Sequence, residues 1–173
     1  VQVWLNRQGQ FTNATPQTGT AGLNGLWSSL AGRDIDGDGD IDYLLGNIGK
    51  NSAFPAHQRR PQILFFATLE DKAVHMVQGY FEGDRLLPVQ GVATAGSAMP
   101  SLFKKYTAFR DYAEDTLPEI YGVELLKRAR RFMLNTVESG WMINDGKGGF
   151  TFKPLPLRAQ ISSVQGIAIT ELN

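Results

Sequence analysis

Five aspartates stand within nine residues, in Asp34-Ile35-Asp36-Gly37-Asp38-Gly39-Asp40-Ile41-Asp42. Carboxylates at alternate positions converge on one point if the backbone wraps tightly. Gly37 and Gly39 permit that wrap, because glycine reaches positive φ without strain. Asp34, Asp36 and Asp38 occupy positions 1, 3 and 5 of a calcium-loop template, and Gly39 falls at position 6, where the chain must turn sharply. Asp40, at position 7, would offer its backbone carbonyl, and Asp42 would supply the closing carboxylate. An all-oxygen, carboxylate-rich set suits Ca²⁺ better than zinc, and magnesium prefers a more hydrated octahedral site. The expected metal residues are therefore Asp34, Asp36, Asp38, Asp40 and Asp42, with a role in stability rather than catalysis. Without a cation the crowded carboxylates repel one another. An EF-hand needs a bidentate glutamate at position 12, and Leu45 stands there. The residues that follow, Ile41 to Leu45, read as a strand, so the loop is β-flanked.

The elements that must hold this loop include a repeat. Trp4-Leu5-Asn6-Arg7-Gln8-Gly9-Gln10-Phe11-Thr12 resembles Trp141-Met142-Ile143-Asn144-Asp145-Gly146-Lys147-Gly148-Gly149-Phe150-Thr151. Each reads as an aromatic strand, an Asn/Gly turn and a second strand opening on Phe-Thr, which is a hairpin pattern. The Trp-to-Trp match sets Trp4 against Trp141. Leu30 to Asp36 aligns in the same way with Ile167 to Asn173, where a second acidic loop would begin at Glu171-Leu172-Asn173.

Between the copies, Gln62 to Thr68 and Ala73 to Tyr80 read as strands from their β-branched and aromatic content, with Glu70-Asp71 as the turn. The period then changes. Leu102, Tyr106, Phe109 and Ala113 recur at helical spacing and predict one amphipathic helix over 101–115. Thr116-Leu117-Pro118-Glu119 has the form of a capping box that starts a second helix, which Gly122 ends. Val123 to Arg130 reads as helix again, and Arg131 to Val137 as strand. The expected fold is mainly β: antiparallel, propeller-like blades forming a partial propeller with a helical insertion. One segment spans 1–173, with a β region over about 1–100, a helical insertion over about 101–130 and a repeating β region over about 131–173. Removing the helical insertion leaves roughly a hundred residues per repeat, about two blades at 40–50 residues each. A closed ring needs at least four blades, so this length would leave sheet edges open to self-association.

Gly25-Leu26-Trp27-Ser28-Ser29-Leu30-Ala31, the Asp34–Asp42 loop and Tyr43-Leu44-Leu45-Gly46-Asn47 together resemble the FG-GAP/VCBS-type repeats. These are the calcium-loop repeats of integrin α-subunit propellers and of many secreted bacterial proteins. Tyr106 to Ala113 and Asn144 to Phe150 resemble an insertion and its flank in a bacterial branch of that family. The resemblance implies a β-propeller, calcium between two blade strands, an extracellular, cell-surface or periplasmic setting, and a role in adhesion or ligand binding. No literal Phe-Gly…Gly-Ala-Pro motif is present. Loops in extracellular modules often bind calcium with dissociation constants of roughly 10⁻⁴–10⁻³ M, useful only where calcium is plentiful.

Composition narrows the partners. Lys+Arg and Asp+Glu number 17 each, so no global field draws nucleic acid. The chain has no cysteine, which excludes disulfides, thiolate nucleophiles and thiolate-bound zinc. No apolar run is long enough to span a membrane. Val1-Gln2-Val3-Trp4 reads as mid-strand rather than as a signal peptide, as if an export signal had been removed or the chain cut from a longer one. His57 and His75 have no spaced metal partner, and Gly146-Lys147-Gly148-Gly149 suits a turn better than a phosphate loop. Lys127, Arg128, Arg130 and Arg131 read as a solvated helix end. Asn13-Ala14-Thr15 is a glycosylation sequon by pattern. Trp4, Trp27 and Trp141 suit core packing or stacking on a sugar ring. The expected partner is a protein or glycan ligand. The alternatives are a glycan-binding lectin, part of a polysaccharide-acting enzyme, or a purely structural segment of a larger protein.

Overall fold

Ten antiparallel strands form three sheets, none of them closed, in a computed structural model that describes residues 1–53 and 55–170. The chain divides into two units, Val1–Ala53 together with Thr136–Asn173, and Phe54–Asn135.

The first unit opens with a hairpin of β1 (Trp4–Arg7) and β2 (Gln10–Asn13). Its turn is Gln8-Gly9, with φ of 53° and 87°. A two-residue turn with both φ positive matches the twist of the flanking strands. The remaining strands of this unit, β3 (Ser29–Arg33), β4 (Asp42–Gly46), β9 (Gly140–Asn144) and β10 (Phe150–Pro154), form a sheet in that spatial order. Neighbours in space are neighbours in sequence, except that the second unit enters between β4 and β9. The sheet is therefore an interrupted meander. Register puts Leu30 opposite Leu45, Tyr43 opposite Met142, and Met142 opposite Phe152. These side chains share one face, because side chains alternate along each strand.

Buried amides pin the junction where the chain leaves and re-enters this unit. Asn47 is fully buried. Its Nδ2 donates to the Thr136 and Glu138 carbonyls at 2.9 and 3.3 Å, and its Oδ1 accepts from the N–H groups of Leu26 and Ile48. Gln160 does the same for Ser139: Oε1 accepts from its N–H and Nε2 donates to its carbonyl. Buried amides are tolerable only when satisfied in this way.

The second unit is a sheet in the order β7 (Arg85–Pro88), β6 (Val74–Glu82), β5 (Gln62–Thr68), β8 (Arg130–Leu134). Five short helices pack with it: α1 (Val92–Ala98), α2 (Ser101–Lys105), α3 (Phe109–Glu114), α4 (Leu117–Tyr121) and α5 (Val123–Arg128). Ile63, Phe65 and Val77 meet Leu102, Leu117 and Ile120 in its core. Each large apolar side chain buried there contributes about 1.5–3 kcal/mol. The capping box at Thr116 is present, with Glu119 Oε2 accepting the Thr116 N–H at 2.7 Å. Gly122 ends α4 at a φ of 84°.

Several expectations are corrected. The single helix over 101–115 is two, broken at Tyr106–Ala108. Tyr106 leaves the helical region to bury its ring against Tyr112 and to donate from its hydroxyl to Asp115 Oδ2 at 2.6 Å. The buried stripe is consequently Leu102, Tyr106 and Tyr112, while Phe109 is 77% exposed. The helical stretch expected over about 101–130 holds α2 to α5, and α1 (Val92–Ala98) precedes it; all five helices lie in the unit that also carries a four-stranded sheet. The described residues thus hold two four-stranded antiparallel sheets, one in each unit, and neither is closed. The paired tryptophans are also out of step. Asn6 faces Phe11 and Asn144 faces Phe150, so Trp4 matches Met142, and Trp141 lies one position further from its turn. A one-residue shift puts the two tryptophans on opposite faces of their hairpins. Residues 167–170 form no strand, and Glu171-Leu172-Asn173 lies outside the described residues.

Candidate metal centre

The acidic loop joins β3 to β4, and its geometry comes from carboxylates capping backbone N–H groups. Asp34 Oδ1 accepts from Gly37 N at 2.8 Å and its Oδ2 from Gly39 N at 3.0 Å. Gly37 and Gly39 sit at φ of 80° and 94°, which a side chain would resist. Asp42 closes the loop from β4. It is 1% exposed. Its Oδ2 accepts from Ile35 N at 3.0 Å and its Oδ1 from Asn144 N at 2.8 Å.

One oxygen each of Asp34, Asp36 and Asp42 lies within 4.8 Å of the others. That spacing lets a single cation touch all three. Each carboxylate oxygen has a second lone pair, so the bonds made by Asp34 and Asp42 leave them able to ligate. Asp36 has the most exposed carboxyl of the three. Its pKa is raised above 3.8, first by desolvation and then by the negative charges of Asp38, Asp42 and Asp34, against a backbone N–H of Asp38 that lowers it. A cation would relieve that repulsion. All the donors are hard oxygens, the kind of set that a hard divalent cation takes.

The other two predicted ligands take different positions. Asp38 Oδ1 accepts from Asp40 N at 2.9 Å, and neither carboxylate belongs to the converging group. Asp40 Oδ2 lies over Gly146, where a β-carbon would come within 2.5 Å of it. Gly146 belongs to the turn between β9 and β10, and that turn is what sequence reasoning missed. It packs on the loop, with Asn144 N bonded to Asp42 and Asn144 Nδ2 donating to the Ile41 carbonyl at 3.3 Å. Asp145 stays inside its own turn, accepting from Lys147 N and Gly149 N. Only the Asn-Asp-Gly content of the turn was visible in advance. Its contact with a loop a hundred residues away had no sequence signal.

The discounted groups lie elsewhere. His75 Nε2 is 2.7 Å from Asp71 Oδ2 across the β5–β6 turn, and His57 pairs its backbone with Arg60. The basic cluster is split between the end of α5 and β8, where Lys127 pairs with Glu124 and Arg130 lies over the Phe132 ring. Gly146 to Gly149 is a hairpin turn, as expected. One face of the interrupted meander borders a cleft of about 600 Å³, lined by Trp4, Trp27, Leu30, Tyr43, Met142 and Phe150 among others. Trp27 Nε1 is buried with no hydrogen-bond partner among the described residues. No helix among the described residues is long and apolar enough to cross a membrane.

Compared with family models, curated proteins and solved structures, the chain gives no significant match.

Proposed function

We propose that this chain is a calcium-binding, non-enzymatic repeat segment of a β-propeller-type protein that works in adhesion or ligand binding outside the cell or at its surface. The observation that carries the reading is the convergence of Asp34, Asp36 and Asp42 within 4.8 Å on a glycine-turned loop. The interrupted meander supports the propeller part. A blade is a four-stranded antiparallel sheet, and with Phe54–Asn135 set aside the repeat is roughly 55 residues, close to the 40–50 of a blade. The resemblance to FG-GAP/VCBS repeats supplies the adhesive role and the extracellular setting. Calcium there serves to hold the loop, since the carboxylates that meet the ion are also those that cap its backbone.

The test is thermal unfolding in excess EDTA and then in millimolar calcium, with the Asp36→Ala, Asp38→Ala double variant as control. A ligand at a thousand times its dissociation constant stabilises by about 4 kcal/mol, a shift of several degrees for a chain of this size. A calcium-specific rise that the variant loses supports the reading, and identical curves for both proteins in both buffers refute it.

A glycan-binding role has one observation in its favour, the aromatic cleft formed by Trp4, Trp27, Tyr43 and Phe150. Aromatic faces pack well against apolar surfaces, and their N–H or O–H groups serve as polar handles.

A further inference from the structure

We infer that the free edge of β1 is a docking edge for an extended strand of the β4 type, an Asp-led strand that follows an acidic loop in another repeat. The inference rests on the blade reading proposed above. It comes from comparing two hairpins of the same design, one of which already has its partner.

In the β9–β10 hairpin, Asp145 N donates to the Gly149 carbonyl, so the next pair inward, Asn144 with Phe150, is not hydrogen-bonded within the hairpin. Hydrogen-bonded and non-bonded pairs alternate in an antiparallel ladder. The backbone groups of Asn144 and Met142 therefore point away from β10, toward β4. There Met142 sits opposite Tyr43, and Asn144 N donates to Asp42 Oδ1.

The β1–β2 hairpin repeats this geometry. Ala14 N donates to the Val3 carbonyl, so Trp4–Asn13 and Asn6–Phe11 are the non-bonded pairs. Asn6 faces a phenylalanine just as Asn144 does, and Trp4 takes the place of Met142. The backbone N–H and C=O groups of Trp4 and Asn6 thus point to the outer edge of β1. Among the described residues no strand pairs with that edge. A two-stranded sheet is marginal in water, and an unpaired edge recruits another strand. Trp4, Leu5 and Phe11 are all exposed, Phe11 by 65%, as apolar residues would be in a sheet short of its inner strands.

The filled edge of β9 states what the open edge of β1 would accept. The occupant runs antiparallel to β1, sets an aromatic or large apolar residue against Trp4, and brings an aspartate to the N–H of Asn6. The β4 of a second copy is already held between β3 and β9. The strand must therefore come from a repeat whose own outer hairpin is not paired with it.

A synthetic peptide spanning Arg33 to Gly49 is such a strand with its loop. Amide exchange of the intact chain is followed by NMR with and without the peptide, in millimolar calcium and in EDTA. Exchange at Trp4 and Asn6 is expected to slow by about tenfold or more on peptide addition, while the β9 amides stay as they were. An Asp42→Ala peptide, and an Asn6→Pro chain that lacks the donating N–H, should each weaken binding by about tenfold. The β9 amides report whether the Asn6→Pro chain has kept its fold. Unchanged exchange at Trp4 and Asn6 overturns the inference, even if the peptide binds elsewhere. If calcium raises the unfolding temperature while these amides stay unprotected, the docking edge fails alone. If the amides are protected equally in EDTA and calcium has no effect on unfolding, the edge stands and the calcium reading falls.

Discussion

The backbone N–H of Asn144 donates to Asp42 Oδ1 at 2.8 Å, joining two residues 102 positions apart. The other oxygen of the same carboxylate holds the Ile35 N–H inside the acidic loop. One buried aspartate therefore fixes the loop, the end of β4 and the end of β9 together. It also gives Asp42 a role that does not depend on any ion, and that separates it from Asp36.

The two aspartates should respond to substitution with opposite signs in calcium-free buffer. Asp42→Asn sets an amide nitrogen where an oxygen accepted a backbone N–H, and should cost about 1–3 kcal/mol. Asp36→Asn removes a carboxylate that its neighbours repel, and should be neutral or slightly stabilising. Urea unfolding in EDTA measures both, and a large loss on Asp36→Asn would contradict the assignment.

The Asp36 carboxyl should titrate above 3.8 in EDTA, as desolvation and neighbouring charges raise it. A group with a raised folded-state pKa disfavours the fold above that pKa, and the penalty fades as pH falls toward the unfolded value. Lowering the pH from neutrality should therefore relieve the loop in EDTA. Saturating calcium should oppose that shift and lower the Asp36 pKa, because a cation favours the charged form. Carboxyl chemical shifts followed through a pH titration read this directly.

Asn47→Ala should be among the most damaging substitutions in the first unit. It would strip partners from the carbonyls of Thr136 and Glu138 and from the N–H groups of Leu26 and Ile48. Buried groups left unpaired cost about 1–3 kcal/mol each, so a total loss of about 3 kcal/mol or more is expected in urea unfolding. A loss below about 1 kcal/mol would mean that water replaces the amide.

Thr116→Ala should be far milder, costing about 1 kcal/mol, since it removes one cap from a short helix. Glu119, whose carboxyl is held below its usual range by the Thr116 side chain and N–H, contributes above the ordinary carboxylate pKa, and that contribution is lost as pH falls through the lowered value. The Thr116→Ala chain should accordingly be less sensitive to acid than the parent.

Local chemistry was the legible part of this sequence. Gln62–Thr68 declares itself as a strand by β-branched and aromatic content, Thr116 and Glu119 declare a helix start, and the Asp/Gly spacing of 34–42 declares a tight carboxylate loop. Long-range pairing was not legible. Tyr106 carries the helical period of Leu102, yet burial of its ring and its bond to Asp115 outweigh one more turn of helix. Trp4 and Trp141 match as letters, but the turns beside them differ in length, so counting from the turn shifts one strand by a residue. Nothing in the composition of Phe54–Asn135 tells that it interrupts a meander, because pairing between β4 and β9 depends on backbone contacts that no local pattern encodes.

The most direct test of the central claim is calorimetric titration of calcium into the metal-free chain, with magnesium in parallel and Asp34→Asn, Asp36→Asn as the control. Binding of one calcium ion per chain, weak or absent for magnesium and lost in the double variant, is the predicted result. No heat of binding up to millimolar calcium, or equal binding by the double variant, would contradict it.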